Sequence, residues 1–156
     1  MEIKGLMIDP SSNNPIVILR DTEGQLFLPI WIGVFEASAI QLQLEGVEPR
    51  RPMTHDLLRT SLETLGTQVE KIVICDLKEH TFFALIHLLR NGEKWEVDAR
   101  PSDAIALALR AEAPIFVLRS VLDKAHAIEL SATSDEEKLK KWFEELSAED
   151  MGKYTM

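Results

Sequence analysis

The stretch Trp95-Glu-Val-Asp-Ala-Arg-Pro-Ser-Asp-Ala-Ile-Ala-Leu-Ala-Leu-Arg110 decides how this chain folds. Residues 95–99 alternate large apolar with acidic side chains, the pattern of a half-buried strand. Arg100-Pro101 ends it, because proline has no amide hydrogen for a central ladder. Pro101 also suits the first turn of a helix, where Ser102 or Asp103 can accept the unpaired amide hydrogens. Every residue over 104–109 is apolar, so the spacing predicts a helix with no wet face, buried in the middle of the fold. Asp98, Arg100 and Asp103 therefore sit at a strand-to-helix corner beside the core.

Upstream, residues 2–8, 15–20 and 25–32 read as three strands of an antiparallel meander, with turn chemistry at 9–14 and 21–24. After Gly33, residues 34–44 form a helix with two apolar stripes, Ala37/Ile40/Leu44 and Phe35/Ala39/Leu42. Two stripes need two packing surfaces, one a sheet and the other a neighbouring helix or a second copy of the chain. Thr54 reads as a helix N-cap ahead of the stripe Leu58, Leu62 and Leu65, which stops at Gly66. Strands follow at 68–77 and 81–89, and Asn91-Gly92 is a hairpin signal leading into the opening stretch. Beyond it come a short strand at 115–118 and a short helix at 120–126. Ser134 with Glu137 makes a capping box, and Leu139, Trp142, Phe143 and Leu146 give the helix behind it an apolar, aromatic side.

The expected architecture is α+β: an antiparallel or mixed sheet with helices packed on it. A single compact domain over residues 1–130 is followed by an amphipathic helix and frayed tail over 131–156. At 156 residues the chain has room for one domain with a real core. No apolar run approaches the ~20 residues that span a bilayer, and no basic start precedes an apolar stretch as in a secretory signal. Cys75 has no second cysteine to pair with and reads as a small buried hydrophobe. A cytoplasmic protein is expected.

The net charge is −9, and the seven acids and four lysines beyond Thr133 account for only part of it. Non-specific nucleic-acid binding needs a positive surface. Here only a local basic patch can supply one.

Two clusters can carry chemistry. The first is Arg50-Arg51-Pro52-Met53-Thr54-His55-Asp56, where arginines precede a helix start. Free amide hydrogens and the helix dipole draw anions to such a point, and His55 can move protons near neutral pH. Read more plainly, Thr54 and Asp56 cap the helix and the arginines are solvated. The second cluster is Asp98, Arg100, Ser102 and Asp103. Its two carboxylates can hold a divalent cation that activates water. Alternatively, Arg100 pairs with Asp98 or Asp103 and locks the corner, with Ser102 as a cap. A Gly-rich phosphate loop, a zinc-type Cys/His spacing and a Gly-x-Ser-x-Gly elbow are all absent from the sequence.

At these clusters the chain resembles a known family. Leu28-Pro-Ile-Trp-Ile-Gly33 with Glu36-Ala37, then Arg51-Pro-Met-Thr-His-Asp-Leu57, then Asp98-Ala-Arg-Pro-Ser-Asp-Ala-Ile-Ala-Leu107 resemble the bifunctional nuclease domain family, in order and without a large gap. The resemblance implies a compact α+β domain that self-associates, as a dimer before larger assemblies. Such domains occur mostly in bacteria and also in plants, and the name reflects DNase and RNase activity.

Two functional classes follow. As a nuclease, the domain would use His55, Asp56, Asp98 and Asp103 as catalytic groups, with Asp98 and Asp103 the candidates for a divalent cation. Arg51, Arg100, Thr54 and Ser102 would hold the scissile phosphate. As an oligomeric binding module, it would use the same arginines to hold an anionic ligand with no chemistry.

Overall fold

The computed structural model describes residues 1–125 and the backbone of 128–129; the tail helix and His126 lie outside the described residues. The meander forms as expected, with β1 (Glu2–Ile8), β2 (Pro15–Arg20) and β3 (Leu26–Trp31) antiparallel in that order. Its first turn is held from inside. Asp9 is fully buried and accepts hydrogen bonds from the Ser11 amide and hydroxyl, the Ser12 hydroxyl and Trp31 Nε1, the last at 3.0 Å.

Next come α1 (Val34–Leu44) and α2 (Thr54–Thr64). The long strands β4 (Gln68–Lys78), β5 (Thr81–Arg90) and β6 (Glu93–Ala99) are joined by two-residue hairpins. In the second hairpin Asn91 and Gly92 both have positive φ, 51° and 80°, which is what a two-residue turn between right-twisted strands demands. Then come α3 (Pro101–Ala111), β7 (Ile115–Val117) and α4 (Arg119–Lys124). Finally β8 (Ile128–Glu129) adds to β3.

The strands make two sheets rather than one. The first runs β1-β2-β3-β8, and the second runs β6-β5-β4-β7 with β7 parallel to β4. The parallel step is possible because α3 carries the chain from one edge of the second sheet to the other.

As its sequence requires, α3 is the centre of the core. Pro101, Ser102, Ala104, Ile105, Ala106, Leu107, Ala108 and Arg110 are all buried. It lies on β4 and β5 and is flanked by α1 and α2. The second stripe of α1 thus finds its surface inside the chain at Ala39, which is buried, whereas Phe35 stays 87% exposed. Two capping expectations are corrected. The N-cap of α2 is Met53, with Thr54 already in the first turn. The N-cap of α3 is Arg100, with Ser102 and Asp103 already inside the first turn.

Candidate functional site

The two clusters meet. His55, one residue into α2, places Nε2 2.9 Å from Oδ1 of Asp103 in the first turn of α3. The other oxygen of Asp103 accepts from Arg100 Nε at 2.7 Å, and Arg100 Nη2 donates to Glu36 Oε1 at 2.8 Å. Three helix starts are thereby joined through the chain Glu36–Arg100–Asp103–His55. Their packing on one another brings the starts together, and the alternation of acid and base fixes them there.

Beneath this chain lies a second pairing. Asp56 Oδ2 accepts the Met53 amide hydrogen at 2.9 Å, so the carboxylate satisfies the start of α2. Its Oδ1 accepts from Arg110 Nε at 2.6 Å. The Arg110 side chain is only 2% exposed, and its remaining nitrogens donate to the carbonyls of Ala106 and Ala39 at 2.8 and 3.0 Å. One buried guanidinium therefore ties α1, α2 and α3 together and leaves no charge uncompensated.

These contacts set the carboxylates. Burial is the largest single influence on Asp103 and pushes its pKa up. The hydrogen bonds from Arg100 and then His55, with the charges behind them, outweigh it and hold the group below the usual carboxylate range. Asp56 behaves alike: burial opposes, and the Met53 amide and then Arg110 prevail.

The remaining sequence candidates fall into different places. Arg51 and Thr54 are exposed on the approach to α2. Arg51 has no ion pair among the described residues, and the Arg100 side chain stays 55% exposed despite its two partners. Ser102 is fully buried, so its hydroxyl is not presented to a ligand. Asp98 stands apart. It lies opposite Leu85 on β6, whereas the neighbouring register positions Ala84 and Ile86 face the core that α3 covers. Alternation puts Asp98 on the other face of the sheet, where its charge helps burial raise the Cys75 thiol.

A cation bridging Asp98 and Asp103 therefore does not fit this arrangement, and both oxygens of Asp103 are already engaged. Among the described residues no three His, Cys, Asp or Glu side chains are grouped to hold a metal. Two residues of the site escaped the sequence reading. Glu36 appeared there only as part of a motif, yet it anchors Arg100. Arg110 went unremarked, although a lone arginine ending an apolar helix signals a buried cation with a partner.

Fold and site together define a class: an α+β domain whose helix starts converge on a histidine–carboxylate–arginine cluster. The chain belongs to the bifunctional nuclease domain family, whose model matches residues 17–129. An uncharacterized protein of Mycobacterium tuberculosis is 43% identical over 137 residues, 88% of this chain and 81% of the relative. Bifunctional nuclease 2 of Oryza sativa subsp. japonica is 28% identical over 122 residues, 76% of this chain and 38% of that protein. Bifunctional nuclease 2 of Arabidopsis thaliana is 27% identical over 105 residues, 65% of this chain and 32% of that protein. The chain thus spans about a third of the plant proteins it matches. No described helix is long and apolar enough to cross a membrane.

Proposed function

We propose that this domain hydrolyses phosphodiester bonds of DNA and RNA in the cytoplasm, with His55 as the proton-transfer group. The observation that carries the reading is the 2.9 Å contact between His55 Nε2 and Asp103 Oδ1. A carboxylate accepting from Nε2–H fixes the tautomer and leaves Nδ1 as the basic nitrogen. That nitrogen takes the proton of an attacking water as its oxygen bonds to phosphorus and the bond to the leaving oxygen breaks. The exposed guanidiniums of Arg100 and Arg51 and the amides at the start of α2 offset the charge gathering on the phosphate. Asp56 acts through Arg110 and the Met53 amide as a positioning residue, holding the turn that carries His55.

A specific observation favours a second reading, a binding module without chemistry. Arg100, Asp103 and Glu36 satisfy one another, and the chain as a whole carries −9. Protein freed of host nucleases and given labelled single-stranded DNA and RNA separates the two. Hydrolysis that falls ~100-fold or more in His55→Ala supports the nuclease. Binding without cleavage, or cleavage indifferent to His55→Ala, leaves the binding module.

A further inference from the structure

We infer that the amphipathic segment over residues 134–146 docks on the outer face of the first sheet and closes it as a further layer of the fold. β2 and β3 read Pro15-Ile-Val-Ile-Leu19 and Leu26-Phe-Leu-Pro-Ile-Trp31, apolar at consecutive positions rather than alternating. Strands of that kind need cover on both faces. One face is accounted for. Val17 and Leu19 pair with Ile30 and Leu28, and all four belong to the core beneath α1 and α3. The opposite face carries Ile16, Ile18, Phe27, Pro29 and Trp31.

These side chains are as deeply buried as the core: Ile16 and Phe27 are 0% exposed, Ile18 1% and Trp31 4%. A pleated sheet cannot hide its own outward side chains, so something lies on them. It is none of the described helices. α1 meets this sheet from the core side through Ala37 and Ile40. α2 packs on α3, and α4 packs on β4 with Val121 and Leu122 in the same core. Nor is it a second copy, since these are the exposures of one chain. What remains is the segment beyond β8.

That segment has the reach and the pattern. β8 pairs Ile128 with Phe27 and Glu129 with Leu26, so the chain leaves from the edge of this same sheet. Nine residues, 130–138, separate Glu129 from Leu139 and can span up to ~30 Å, well beyond the ~10 Å from β3 across to β1. Leu139, Trp142, Phe143 and Leu146 then follow at the spacing of one helix face. That stripe is ~10 Å long at ~1.5 Å per residue, against ~14 Å from Phe27 to Trp31 at ~3.4 Å per residue. Lys140, Lys141, Glu144 and Glu145 fall outside the stripe and are left to water. Trp31 ends the covered face two residues before Gly33, the N-cap of α1. The docked segment thus braces the strand that delivers Glu36 to the Arg100 corner. This inference is independent of the proposed chemistry.

The full chain labelled with 5-fluorotryptophan gives fluorine signals from Trp31, Trp95 and Trp142, and Trp142→Phe identifies the last. A soluble gadolinium chelate should broaden the Trp142 signal no more than that of the buried Trp31. Ile18→Val trims one methyl group from the face, and it should shift the Trp142 signal while leaving Trp95 in place. Labelled wild type refolded with an equal amount of unlabelled Ile18→Val should keep one Trp142 signal at the wild-type position. A Trp142 signal broadened as strongly as in the urea-unfolded chain overturns the inference. So does one indifferent to Ile18→Val, or one split in two by the mixed refolding, which would put the segment on a second copy.

Discussion

Arg110 Nε donates to Asp56 Oδ1 at 2.6 Å between two helices whose residues lie 54 positions apart in the chain. The same guanidinium holds carbonyls of α1 and of its own helix α3. The helix start that presents His55 is thereby pinned to the central helix of the core. The catalytic reading depends on that pinning, because a base placed an ångström away loses its geometry.

Arg110→Ala should destabilise the domain by ~3–5 kcal/mol, since it leaves the Asp56 carboxylate without the buried cation that compensates it. Arg100→Ala should cost no more than ~1 kcal/mol, because this side chain is 55% exposed although it makes two ion pairs. Urea unfolding of both variants checks the contrast. Equal losses would show that burial does not separate the two arginines.

The depressed carboxylates fix a pH dependence. Asp103 and Asp56 both titrate below the ordinary value of 3.8. A group whose pKa is lower folded than unfolded stabilises the fold above the unfolded value, and that stability drains as pH falls toward the folded one. Melting temperature should hold from pH 7 to about 5 and fall below 4, and Asp103→Asn should flatten the fall. A variant with an unchanged acid slope would contradict the assignment.

Gly33 has ordinary extended backbone, yet a methyl group there would collide with the carboxylate of Glu36. Gly33→Ala should therefore swing Glu36 away from Arg100 at little cost in stability. In a cycle with Arg100→Ala, the pair of substitutions should cost less than the sum of the singles. Strict additivity in the melting data would mean that Glu36 keeps its partner by another route.

Strand and helix limits were legible where local rules act alone. Arg100-Pro101 stops β6 and starts α3, and the unbroken apolar run after it can only be buried. Even the separation of Asp98 from Asp103 was available in the alternation of residues 95–99, since Val97 and Asp98 must face opposite ways. The meeting of His55 with Asp103 was not, because it depends on how α2 and α3 cross. The cap of α2 moved from Thr54 to Met53, whose amide hydrogen the Asp56 carboxylate three residues on accepts, so the helix begins one residue earlier than the hydroxyl suggested. Two sheets in place of one follow from β7 returning beside β4, a long-range pairing that no local signal carries.

Single-turnover cleavage of single-stranded RNA by wild type, His55→Ala, Asp103→Asn and the double variant tests the central claim most directly. If Asp103 works by orienting His55, each single substitution should slow hydrolysis by ~100-fold or more. The double should then be no slower than the worse single, as for residues acting as one unit. Losses that multiply would contradict the dyad. A rate that survives both substitutions would contradict catalysis at this site.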